Sequence, residues 1–512
     1  MSTSEGNDPR KQLDGFEPHV INLVREHASS TQWREWLRVP LEHAAAKGDM
    51  DLFAMLMDAG ADGGAGWRGC HRRTLLGAAA YGKSEEIVQA LLEAGATDEV
   101  DVKFGAKQES ALHVAASQGA EEVSTALMLA GANPCILDAD NRNPLHRAAE
   151  AGHDGVVDIL LLQQADTSAR ERYARDSPLH LAAAEGHALC VSKLVVGGAD
   201  KDSRNGNGEA PLHLAARNNR LGAVEEILAA GTNVDIRVHG FYPSCSALDI
   251  AAREGHVDVV RALLRHGSNV NACDSLGYAA LHHAAAFAES GRDNGDVIRM
   301  LLEAGADLEA RTTDYYCTPL HEAVRRRVGS SGTIRALLDE GAGVNSCAPG
   351  AFTPLHSACF NSCVVGVDVL LWWGADEKLR SAGETPGDAV GLWEEDDVVS
   401  WEEDAEGIFF QYTRKQERRA DDERIRHMLA RAPADRSWRR RGWLVLARCS
   451  PNKVTFTMEG NNPGGGGSGC NDASGGCTAV SGDLLRPNFT RLVGSVVGLS
   501  AEGIFRLVVS FL

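Results

Sequence analysis

Ten leucines recur through this chain at nearly constant spacing, and that periodicity limits what it can fold into more than any other feature. Leu41, Leu76, Leu112, Leu145, Leu179, Leu212, Leu248, Leu281, Leu320 and Leu355 are separated by 35, 36, 33, 34, 33, 36, 33, 39 and 35 residues. A fixed period in this range marks stacked repeats rather than one closed core. The clearest copy, Ser246 to Ala272, reads SALDIAAREGHVDVVRALLRHGSNVNA. In it Leu248, Ala251 and Ala252 line the inner face of one short helix, and Val259, Val260, Leu263 and Leu264 form the apolar stripe of a second. Gly255 and Gly267 close the two helices. A helix pair of this size has apolar surface on both sides, so one copy cannot bury its own core and copies must stack. The spacing predicts an all-α solenoid.

The best-formed copies open NPLHRAA from Asn143, SPLHLAA from Ser177, APLHLAA from Ala210, TPLHEA from Thr318 and TPLHSA from Thr353. Asn, Ser or Thr caps a helix N-terminus, proline suits the first turn because its missing N–H had no partner there, and alanines let helices approach closely. This opening, followed by Gly-His, a Val/Ile pair, a Leu pair and Gly-Ala-Asp, resembles the ankyrin repeat over about three quarters of the chain. The resemblance implies ten to eleven helix-turn-helix units with β-hairpin-like tips and a concave binding surface of tips and first helices. It also implies a scaffold role for His113, His146, His180, His213, His282, His321 and His356, one per repeat, hydrogen-bonded within and between turns. Glu42, Gly77 and Asp249 stand at the histidine position in three copies.

The expected organisation is a disordered stretch over 1–15, a helical N-cap over 16–39 and ten repeats over 40–384. An eleventh repeat over 385–435 is split by an acidic insertion, and a basic capping helix follows over 436–450. A Gly-rich linker at 451–482 leads to an amphipathic helical tail at 483–512. Within the eleventh copy, Thr385 to Ala389 starts the unit and Arg424 to Leu429 has the spacing of its second helix. Between them, Trp393 to Gly407 carries eight acids and no base, whereas Arg414 to Arg448 carries twelve bases and five acids. These opposite tracts are expected to pair. In the eighth copy, surplus residues at 288–295 predict a protruding loop.

A formal net charge of -20 disfavours nucleic acid as the main partner. The twelve cysteines fall singly, with no CxxC pair and no local zinc-type spacing, so no metal site, cofactor or disulfide framework is predicted. His321-Glu322 lacks the second histidine of a zinc-protease motif, and Asp138 to Asn141 begins like a calcium loop but lacks its glycine and its final carboxylate. No nucleophile, base and orienting group form a set, so no catalytic residue is proposed. Without an apolar leader or a long apolar run, a monomeric cytoplasmic protein is expected, with the nucleus as the alternative.

The expected function is a non-enzymatic scaffold that binds another protein. Tips rich in aromatic and arginine residues nominate Arg172, Tyr173, Arg175, Phe241, Tyr242, Tyr278, Arg311, Tyr315, Tyr316 and Phe352, residue types that dominate binding hot spots. Against this, Tyr278 and Phe352 precede the helix-opening turn and have a packing role as their alternative. Asp274 is read as an ordinary tip residue. A second reading makes the chain an adaptor whose tail, or basic cap, reaches another factor or a membrane surface. An enzyme is the remote third.

Overall fold

The structure, a computed structural model, describes residues 37–58, 61, 74–238, 244–286, 293–313, 315–325, 330–347, 352–380, 383–391 and 418–433. Ten helix pairs follow one another: Arg38–Lys47 with Met50–Asp58, Leu75–Tyr81 with Glu85–Glu93, Ala111–Gln118 with Glu121–Leu129, Pro144–Ala151 with Asp154–Leu162, Pro178–Glu185 with Ala188–Val196, Pro211–Arg217 with Leu221–Ala229, Ala247–Glu254 with Val257–Arg265, Ala280–Ala286 with Gly295–Glu303, Pro319–Val324 with Ser331–Asp339, and Pro354–Phe360 with Val364–Trp372. We number these repeats 1 to 10. First helices pack on first helices of the adjacent repeats and second helices on second helices. The described residues contain no strand. Isolated antiparallel bridges join Phe104 to Glu109 and Arg237 to Ser246 in the tips.

The ten marker leucines are all buried, none more than 1% exposed. Below them the first residue of each second-helix leucine pair, such as Leu160, Leu263 and Leu301, is equally inaccessible. Full burial of one such side chain is worth about 1.5–3 kcal/mol. Small residues at Ala148, Ala149, Ala182, Ala183, Ala215 and Ala216 are fully buried, which is what close helix approach requires. Each first helix of repeats 3, 4 and 5 stops at a glycine with positive φ: Gly119, Gly152 and Gly186. A β-carbon on Gly119 would lie 2.4 Å from the His153 ring, and one on Gly152 would lie 2.5 Å from that of His187, so both backbone conformation and space demand glycine.

One departure at the histidine position is filled from the next repeat. Gly77 leaves a space into which Phe104 of repeat 3 inserts its ring, 2.3 Å from where a β-carbon would stand. Beyond repeat 10, residues 383–391 form turns rather than a helix. There Asp388 accepts hydrogen bonds from the Thr385 N–H at 2.8 Å and hydroxyl at 2.7 Å, so the histidine position is again a carboxylate. Residues 418–433 are helical, bury Ile425, and dock on repeat 10 through Ser362, whose hydroxyl donates to Asp422 at 2.7 Å. Gly295 begins the second helix of repeat 8 and is buried, so it is no part of a protruding loop. Residues 288–292, the acidic tract at 393–407, the basic cap, linker and tail, and the N-terminal 1–36 lie outside the described residues.

Candidate functional site: tips and first helices

The histidines fix the tips to the first helices. In repeats 3, 5, 9 and 10 the imidazole Nδ1 faces the hydroxyl of its N-cap residue at 2.7–2.9 Å, completing the helix cap. The opposite nitrogen, Nε2, donates forward to a backbone carbonyl of the next repeat. His113 reaches Arg142 at 2.9 Å, His180 reaches Glu209 at 3.1 Å, His321 reaches Phe352 at 2.7 Å and His356 reaches Glu384 at 3.0 Å. A second set points backward: Nε2 of His153, His187 and His256 donates to carbonyls of Ser117, Glu150 and Arg217 at 3.0–3.2 Å. Burial lowers the pKa of His113, His146, His180, His213, His282 and His321 to about 4, so each is a neutral donor and acceptor.

Tips are also tied edge to edge. Backbone N–H groups of Ala139, Arg172, Gly206 and Thr313 donate to carbonyls of Lys107, Asp140, Ala174 and Leu276 in the preceding tip, at 2.6–3.0 Å. A surface built this way is ordered before any partner arrives, which lowers the entropic cost of binding.

The nominated residues divide. Tyr173, Tyr315 and Tyr316 are 75%, 71% and 55% exposed, and Arg172, Arg175 and Arg311 are exposed beside them. Arg175 and Tyr316 take left-handed backbone at φ 55 and 54, a conformation unusual for these side chains. Tyr278 and Phe352 are half-buried. Phe352 stacks on His356 with centroids 5.4 Å apart. Tyr278 packs on His282 and His283, donates its hydroxyl to Glu322 at 3.3 Å and accepts from Arg325 at 3.2 Å. Phe241 and Tyr242 lie outside the described residues.

Sequence reasoning missed a buried charge layer under the tips. Arg147, on the first helix of repeat 4, reaches Asp138 at 2.6 Å and Glu109 of repeat 3 at 3.1 Å. Beside it, Arg142 pairs with Glu171 at 2.7 Å and Glu150 at 2.9 Å. Burial alone would raise the pKa of Asp138, but backbone N–H groups and Arg147 hold it below the usual carboxylate range. Asp274 in repeat 8 is the counterpart of Asp138 and is buried as well, which corrects its reading as an ordinary tip residue. Its Oδ1 accepts the N–H groups of Leu276 and Tyr278 at 2.8 and 2.9 Å. Also unforeseen are Leu129, Leu162 and Val196, which end the second helices of repeats 3, 4 and 5 and are 83%, 80% and 87% exposed. Their shared place at the helix end was legible in the alignment, but their exposure was not.

No helix among the described residues is long and apolar enough to cross a membrane. The model of a family described as ankyrin repeats (3 copies) matches residues 41–138, 75–171, 145–238, 238–312 and 288–381. Among curated proteins, the chain is similar to E3 ubiquitin-protein ligase KEG of Arabidopsis thaliana, 28% identical over 317 residues, which is 60% of this chain and 19% of that protein. It is similar to ankyrin repeat and SOCS box protein 16 of Homo sapiens, 30% identical over 209 residues, covering 33% of this chain and 44% of that one. Ankyrin repeat and SOCS box protein 3 of Bos taurus is 32% identical over 115 residues, 22% of this chain and 20% of that protein. The chain thus spans less than half the length of these relatives.

Proposed function

The chain belongs to the ankyrin-repeat family, and on that premise we propose that it is a protein-binding scaffold whose tips and first helices form the interface. The observation that carries this reading is the exposure of Tyr173, Tyr315 and Tyr316 on tips that are hydrogen-bonded to their neighbours. Large aromatic side chains held in water on a rigid frame are costly to keep unless something covers them, and they bring much contact area at little entropic cost. Arg172, Arg175 and Arg311 extend the same surface and suit acidic or carbonyl-rich patches on a partner. Tyr278 and Phe352 support that surface from below, since their rings are engaged with histidines of the scaffold.

An adaptor role is the second reading. The names of two relatives pair ankyrin repeats with a SOCS box, and in this chain residues 434–512 come after the repeats. No catalytic role is assigned to any residue. To test the main reading, a photo-crosslinking amino acid is placed at Tyr173 or Tyr315, and at Leu162 as a comparison. Protein crosslinked from the tips, and lost with Tyr173→Ser, Tyr315→Ser and Tyr316→Ser combined at unchanged helical content, is expected. Equal capture by the triple variant moves the interface away from the tips.

A further inference from the structure

Two layers of the array use the same three positions for different chemistry. Between repeats 3 and 4 these positions are Glu109, Asp138 and Arg147. Between repeats 7 and 8 the equivalent residues, at identical spacing along the chain, are Cys245, Asp274 and His283. In the first layer the guanidinium spans both acids and supplies the buried cation that they need. In the second layer the side chain that should bridge is an imidazole, which is shorter. Its Nε2 stops 3.6 Å from Asp274 Oδ2 and 4.0 Å from Cys245 Sγ. Asp274 Oδ2, in a side chain that is 0% exposed, makes no hydrogen bond in the interior and faces the His283 imidazole, whose pKa burial would lower but Asp274 raises to about 10. An unbonded carboxylate oxygen in that setting is costly.

We propose that Cys245, Asp274 and His283 bind a zinc ion that stands where the Arg147 guanidinium stands in the equivalent layer, tying repeat 7 to repeat 8. The three donor atoms lie within 4.8 Å of one another, the one such group of three among the described residues. Tetrahedral zinc with bonds of about 2.0 Å to nitrogen and oxygen and about 2.3 Å to sulfur sets N···O at about 3.3 Å and N···S at about 3.5 Å. The two separations measured from His283 Nε2 exceed these by about 0.3 and about 0.5 Å. A thiolate, an imidazole and one carboxylate suit zinc and not magnesium or calcium, which take oxygen ligands in larger number. On binding, the Cys245 thiol and the His283 imidazolium both give their protons to solvent, and thiolate and carboxylate together cancel the charge of the ion. The fourth position falls to water. Buried Asp249, at the capping position of repeat 7, accepts the Ser246 N–H and hydroxyl at 2.8 and 2.9 Å, and its charge acts on the same imidazole. Tyr278 covers the His283 ring from the tip side with centroids 5.7 Å apart, limiting access of bulk water.

The full chain is stripped with chelator, dialysed against zinc, and its retained metal measured by mass spectrometry. The comparison is Cys245→Glu with His283→Arg, which rebuilds the triad of the repeat 3/4 layer and so removes two donors while restoring a cation. The wild type is expected to retain one zinc ion more than this variant, and its melting temperature to rise with zinc while that of the variant does not. Cobalt(II) in place of zinc should give the thiolate charge-transfer band of a four-coordinate sulfur-ligated site, absent in Cys245→Ser. A hundredfold excess of magnesium should not displace it. Equal zinc in wild type and variant, or a cobalt spectrum unchanged by Cys245→Ser, overturns the assignment. Should the double variant fail to fold, the cobalt spectrum of Cys245→Ser, a near-isosteric change, decides alone.

Discussion

Mild acid should loosen this array. His113, His146, His180, His213, His282 and His321 have folded pKa values of about 4 against 6.5 in an unfolded chain, because burial opposes their charged form. Below pH 6.5 the unfolded chain therefore takes up protons that the native chain refuses, and stability falls as pH falls toward the folded value. Between pH 7 and 5.5 the loss integrates to about 1.2 kcal/mol per histidine and about 7 kcal/mol for the six. That is the size of the whole stability of many domains, about 5–15 kcal/mol. Urea unfolding followed by far-UV circular dichroism at half-unit pH steps would read it as a midpoint that falls at each step. The double variant His180→Asn, His213→Asn should start less stable yet lose about 2 kcal/mol less over the same range, since two titrating groups are gone. A wild-type midpoint that stays level from pH 7 to 5.5, or an equal loss in the double variant, would refute the reasoning.

Two further outcomes follow from the packing. Arg147→Met should cost about 3–5 kcal/mol, measured by urea unfolding, because Asp138 keeps its burial and loses its cation; adding Asp138→Asn should recover part of that loss. Leu263→Asp should destabilise far more than the exposed tip change Ser275→Ala, since it puts an unpaired charge in the stack, and thermal melting of the two variants checks the difference.

The repeat register was legible because it rests on residues that must be apolar in every copy, and the marker leucines occupy equivalent buried places in all ten. The capping role of His180 or His321 was legible for a similar reason: a cap needs only neighbours three residues apart. What escaped sequence reasoning depends on contact between copies. Nothing near Gly77 announces that Phe104 will fill its place, and Cys245, Asp274 and His283 look isolated until stacking brings residues 29 and 9 apart in sequence to one point. Tyr278 and Tyr315 both read as tip aromatics, with packing as an alternative for Tyr278 alone; Tyr278 is held by Glu322 and Arg325, and Tyr315 stands in water. That distinction is set by the following repeat. Likewise the spacing located a helix around Arg424 to Leu429, but not its docking on repeat 10 through Ser362.

The forward imidazole bonds make the array a fastener with a direction, each repeat latched by the one before it. Asp249 is shorter than an imidazole, and among the described residues no such latch crosses from repeat 7 to repeat 8. The array is in this respect two springs in series, with latches running from His113 to His213 and again from His282 to His356. The joint between them relies instead on the packing of the first helices of repeats 7 and 8, and an ion held by Cys245, Asp274 and His283 would supply there the cross-link that the missing imidazole does not.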